Sequence, residues 1–180
     1  MSFTFKRPSF TRNKQIKVIK PKEKLYPELV PSTSWFTNLR SQLPKTEWDI
    51  IRKQVYQDAG MKCEICSGRG QKHPVECHEV FKYDETNGIQ KLVRLIALCP
   101  ACHSVKHIGL AQVRGRYEEA LKHLSEVNNI TIDEARELAD NAFKDWERRS
   151  GMDWELDLSA LKDLVKELDI RSTNHGDKFL

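Results

Sequence analysis

Cys63-Glu64-Ile65-Cys66 and Leu98-Cys99-Pro100-Ala101-Cys102-His103-Ser104-Val105-Lys106-His107 decide how this chain folds, with Val75-Glu76-Cys77-His78-Glu79-Val80 between them. Two Cys-x-x-Cys knuckles, 32 residues apart, suit a tetrahedral zinc site built from four thiolates. Each knuckle turns tightly enough for both sulfurs to meet one ion, and the ion ties two distant segments together. No strand-helix-strand pattern surrounds the first knuckle, which argues against a thioredoxin-like redox pair. Cys63, Cys66, Cys99 and Cys102 are therefore expected to hold a closed structural zinc ion. His103 and His107 follow directly. Four residues apart on a helix, their imidazoles share a face, and His78 on an earlier strand is the natural third ligand of a second metal.

The coarse pattern of elements surrounds these motifs. Thr46 opens a helix with Trp48, Ile51, Val55 and Tyr56 along one face, and Gly60 stands where a terminating glycine is preferred. Residues 75–82 read as a strand, Tyr83 to Gly88 as a turn with an Asn-Gly pair, and Lys91 to Leu98 as the returning strand. The helix bearing His103 and His107 then completes a β-β-α unit. Arg116 to Val127 carries a helical apolar stripe. Thr131 with Glu134 has capping-box spacing at the head of the next helix, and Ser159 begins a last one. Trp35 and Phe36 are expected to wedge into the core, and Cys77 to be a small buried strand residue.

These motifs resemble those of the HNH endonucleases, the ββα-metal or His-Me finger nucleases, in the branch with two zinc knuckles. In that family a strand supplies a metal ligand followed by a general base, an Asn braces the loop, and two histidines four apart complete the site. The resemblance implies that His78, His103 and His107 hold a catalytic divalent ion, Mg2+ or Mn2+, beside the structural zinc. The family's base falls at Glu79 and its Asn at Arg94, so Glu79 is the implied base or further ligand and Arg94 an implied phosphate contact. Lys82, Lys106 and Arg114 are further candidates for phosphate contact. The implied activity is metal-dependent hydrolysis of DNA phosphodiester bonds, leaving a 5′ phosphate. The alternative is an inactive zinc module of the same shape that binds nucleic acid or a protein. A thiol-redox protein is a third reading.

Composition agrees with a soluble chain of 180 residues, 39% apolar and 31% charged. The expected class is α+β: a zinc-stabilised ββα unit over 61–112, preceded by a segment and helix over 25–60 and followed by helices over 113–170 and a frayed tail over 171–180. Residues 1–24 hold eight Lys or Arg against the single acid Glu23, a basic flexible arm suited to a polyanion such as DNA. Residues 131–180 hold 13 acids and 8 bases, which points that half away from DNA and towards a protein partner. Neither an apolar run of spanning length nor a signal-peptide core is present. No membrane partner is therefore expected, and five cysteines, four in knuckle spacing, point to a reducing, cytoplasmic setting.

Overall fold

The computed structural model describes residues 24–35 and 39–161. The expected basic arm, Phe36, and all but the first residues of the helix expected from Ser159 lie outside the described residues, as does the expected tail. Among the described residues the chain forms a three-stranded sheet and six α-helices: α1 (Leu39–Gln42), α2 (Lys45–Asp58), β1 (Glu76–Asp84), β2 (Ile89–Leu98), α3 (Pro100–Lys106), α4 (Ile108–Val113), α5 (Tyr117–Asn128), α6 (Ile132–Ser150) and β3 (Glu155–Asp157). The class is mixed α+β.

Helix α2 starts one residue before Thr46, behind Pro44, and ends where Gly60 and Met61 take left-handed backbone (φ +61° and 56°). Its buried Ile51 and Val55 pack on the strands. The β1–β2 hairpin turns on Asp84, whose carboxylate accepts from the Thr86 and Asn87 amides at 3.1 and 3.2 Å. Gly88 supplies the positive φ, +66°. Strand β3, too short to show a period in sequence, adds in parallel along the start of β2.

Period-two alternation gives β1 two unlike faces. Cys77 and Phe81 point towards α1 and α2, packing with Val55, Leu39 and Ile51. His78 and Val80 point the other way, where Ile96, Leu98, Val105, Ile108, Leu121 and Leu124 form the main core. A bulge opposite Val80 and Phe81 admits Val93 as an extra residue, so Leu92 joins the α2 face although Ile96 and Leu98 lie on the other. A capping box at Thr131 and Glu134 starts α6 as expected, with Glu134 N donating to Thr131 Oγ1 at 3.2 Å. Trp35 departs from expectation. It is 60% exposed rather than wedged inwards, because the 3-10 turn Ser32–Ser34 buries Ser34 and turns the next side chain out.

The segment from Leu25 to Val30 crosses the main core as a strap. Buried Leu25 is held at both ends of its own peptide unit by one side chain. Asn128 Oδ1 accepts from Leu25 N at 2.9 Å and Asn128 Nδ2 donates to Leu25 O at 2.7 Å. Further along, Glu28 N donates to Lys106 O at 2.8 Å. The strap therefore lies against α3, beside the histidines.

Candidate metal centres

The two knuckles meet. Cys63 and Cys66 lie on the turns after α2, Cys99 at the end of β2 and Cys102 in the first turn of α3, and their four sulfurs lie within 4.8 Å of one another. Cys66 Sγ and Cys99 Sγ stand 3.5 Å apart, close to the ~3.8 Å that tetrahedral Zn–S bonds of about 2.3 Å would set. None of the five cysteines is paired in a disulfide. The tightness of the turn explains its glycines: a Cβ on Gly70 would sit 2.2 Å from His73 O and 2.6 Å from the Pro100 ring. Backbone amides already point at sulfur, Gly68 N to Cys66 Sγ at 3.3 Å among them.

The donor chemistry fits a metal. Three of the thiols, Cys63, Cys99 and Cys102, are coupled through hydrogen bonds between their sulfurs. Hydrogen bonds from Cys102 and Cys99 hold Cys63 far below the ordinary thiol range, and Cys102 is pushed far above it as the donor to Cys63 and Cys99. A dication lets all four ionise together. One further residue, not evident from the spacing, touches this cluster: His123 on α5 brings Nε2 to 3.2 Å from Cys102 Sγ. Cys77, as expected, stays apart, on the α2 face, where burial pushes its thiol up to about 12.

The second cluster is made of His78, His103 and His107, whose ligand nitrogens also lie within 4.8 Å of one another. Their ring centroids are 4.6, 5.1 and 5.3 Å apart, all edge-on. His107 is not helical as expected. It is the hinge between α3 and α4 (φ −100°, ψ 46°), yet its ring still reaches the other two. His103 Nε2 and His107 Nε2 stand 3.1 Å apart, within the ~2.9–3.4 Å that two imidazoles on one ion at about 2.0–2.1 Å would show. Burial, then the neighbouring His103 and His78, push His107 down to about 3, so its ring stays neutral and keeps a lone pair. Burial likewise lowers His78, although Glu28 opposes it.

Carboxylates stand behind two of the three rings. Glu76 accepts from His103 Nδ1, which leaves Nε2 with the lone pair and turns it inwards. Glu28 Oε2 accepts from His78 Nε2 at 3.1 Å. Glu28 itself remains ionised below the usual carboxylate range, because hydrogen bonds from His78 and Lys106 outweigh the upward push of burial. Glu76 was detectable in principle, since residues i and i+2 of a strand share a face with His78. Glu28 was not: a strap residue carries no period and no motif.

The expected site residues therefore divide. His78, His103 and His107 are brought together. Glu79 is not among them: β1 alternation turns it to the α1 face, where its Oε1 accepts from Leu39 N at 2.5 Å. Burial raises its carboxyl against the pull of the Leu39 amide, and the side chain also lines the cleft that the three rings share. Lys106 is no surface phosphate contact. It is 1% exposed, with its ammonium on Glu28. Lys82 and Arg114 are exposed, on β1 and after α4, and Arg94 is half-buried on β2 opposite Val80. In comparisons with known protein families, curated proteins and solved structures, nothing matches this chain.

Proposed function

We propose that the chain is a metal-dependent nuclease of the HNH type, hydrolysing phosphodiester bonds in DNA. The observation that carries this reading is the convergence of three imidazoles, from β1, α3 and the α3–α4 hinge, next to a four-cysteine cluster that fixes the start of the same helix. A divalent ion held by His78, His103 and His107 would polarise a phosphate and acidify a bound water. The protein's part is orientation. Glu76 fixes the tautomer of His103, Glu28 that of His78, and the cysteine cluster anchors α3 against the hairpin. Three nitrogen donors suit manganese or zinc better than magnesium, which prefers oxygen. Glu79 is reassigned from base to a brace for α1.

A second reading, a zinc module that binds nucleic acid or a protein without cutting, is favoured by one observation. His78 is only 4% exposed beneath the strap, and the carboxylates nearest the rings, Glu28 and Glu76, are already engaged by His78, Lys106 and His103. One experiment separates the two. Supercoiled plasmid is incubated with zinc-loaded protein and Mg2+, Mn2+ or further Zn2+, alongside His103→Ala and His107→Ala proteins that retain the cysteine-bound zinc. Nicking by the wild type and its loss in both variants supports the nuclease. Intact plasmid under every ion supports the binding module.

A further inference from the structure

Two clefts flank His103, and they differ in charge. One, of about 500 Å³, runs along the open edge of β1 beneath the strap and is lined by Glu28, Lys82, Asp145 and Arg149. Most of its charges are paired: Glu28 holds Lys106, Asp145 accepts from Arg148 at 2.7 Å, and Arg149 donates to Glu85 at 2.9 Å, while Lys82 forms no ion pair among the described residues. The other, of about 650 Å³, lies between α1, α2 and β1 and is lined by Arg40, Lys45, Trp48, Arg52, Glu76 and His103. Here both acids are already engaged. Asp49 accepts from Arg52 at 2.7 Å and Glu76 from His103. Arg40 and Lys45 form no ion pair among the described residues, so with Arg40, Lys45 and Arg52 against Asp49 and Glu76 this cleft carries a net positive charge.

We propose that the α1–α2 cleft is the seat of a nucleic-acid phosphodiester backbone, with Arg40 and Lys45 as its phosphate contacts and His103 at its inner end. The inference rests on the nuclease reading for the chemistry at His103, but the cleft stands on its own charges. An anion entering here meets Arg40 and Lys45, neither held in an ion pair, whereas from the strap side the one such cation is Lys82 and His78 is covered. Trp48, half-buried on the cleft wall, offers an indole face on which a base can stack. The brace at Glu79 acquires a purpose: by accepting from Leu39 N it ties to β1 the short helix whose next residue is Arg40.

The test is fluorescence anisotropy of labelled single-stranded and duplex oligonucleotides with the full, zinc-loaded chain in Ca2+. Wild type is compared with Arg40→Ala/Lys45→Ala and with Lys122→Ala/Lys144→Ala, an equal charge change on exposed faces of α5 and α6. Zinc content and circular dichroism confirm that each variant is folded. The cleft variant is expected to bind at least tenfold more weakly. Its salt slope should be shallower by about 1.4 for single strands or 1.8 for duplex, two phosphates' worth, whichever form the cleft takes. The control should stay within about twofold of wild type. Equal losses in both variants, or no loss in the cleft variant, would overturn the proposal, as would a wild type that binds neither form. Binding lost with Arg40 and Lys45 in a protein that never nicks plasmid would retain the cleft and remove the nuclease. Cleavage that needs His103 but ignores both cations would do the opposite.

Discussion

Glu28 Oε2 lies 3.1 Å from His78 Nε2, fifty residues along the chain, while the other oxygen of the same carboxylate takes the ammonium of the fully buried Lys106. One side chain from the strap thus orients a candidate ligand and neutralises a buried cation. Removing either partner of such a pair strands the other without solvent.

Glu28→Gln should therefore weaken metal binding at the histidine cluster by roughly 10- to 100-fold, the usual effect of losing a carboxylate behind a ligating imidazole. Competition between the protein and a chromophoric chelator for Co2+ measures it. The thiolate-rich spectrum of the cysteine cluster is the internal reference and should not change. An unaltered affinity at the nitrogen site would sink the role given to Glu28.

The cysteine cluster should behave as a folding element. Structural zinc contributes on the order of 10–16 kcal/mol in small domains, and held by these four cysteines it would join the end of α2 to the start of α3. Cys99→Ser should leave a chain without cooperative thermal unfolding, and a strong chelator should do the same to wild type. His123→Ala removes only the 3.2 Å contact to Cys102 Sγ and should speed zinc release without unfolding the protein. A cooperative transition in zinc-free wild type would show that packing alone suffices.

The knuckles and the His103/His107 pair were legible because their spacing is local and their chemistry is specific. Period-two and period-3.6 patterns also located the hairpin and helices α2, α5 and α6. What was not legible depended on side-chain direction and on distant contacts. Glu79 follows His78 in sequence, yet adjacent strand residues face opposite ways. Lys106 belongs to the same short helix as His103 and reads as surface, until Glu28 arrives from a strap 78 residues away. Strand β3 has three residues and no pattern to read.

Glu79 tests that distinction directly. Its folded carboxyl is raised above 4.5 by burial, so its favourable neutral form is complete below that pH and is lost as pH rises through the folded value. Glu79→Gln keeps an acceptor oxygen for Leu39 N without the buried charge. Thermal stability at pH 7 should stay within about 1 kcal/mol of wild type or rise, and plasmid nicking should persist. Glu79→Ala, which leaves that amide without its acceptor, should cost about 1–3 kcal/mol. Loss of nicking by the glutamine variant at unchanged stability would return Glu79 to the role of base.

Asn128 links the strap to the rest of the molecule. Its amide makes two hydrogen bonds to Leu25, from 103 residues away, and no other side chain among the described residues holds that peptide unit. Neutral hydrogen bonds of this kind contribute about 0.5–1.5 kcal/mol each, and the Leu25 groups they leave behind lie over the core. Asn128→Ala should then lower stability by roughly 1–3 kcal/mol. Because Glu28 rides on the same strap, it should also weaken metal binding at the histidine cluster while leaving the cysteine cluster untouched. Denaturant titration and the Co2+ competition read the two effects separately. A variant that loses stability but keeps full affinity at the nitrogen site would mean that Lys106, through Glu28 N and its own ammonium, positions the carboxylate without help from Leu25.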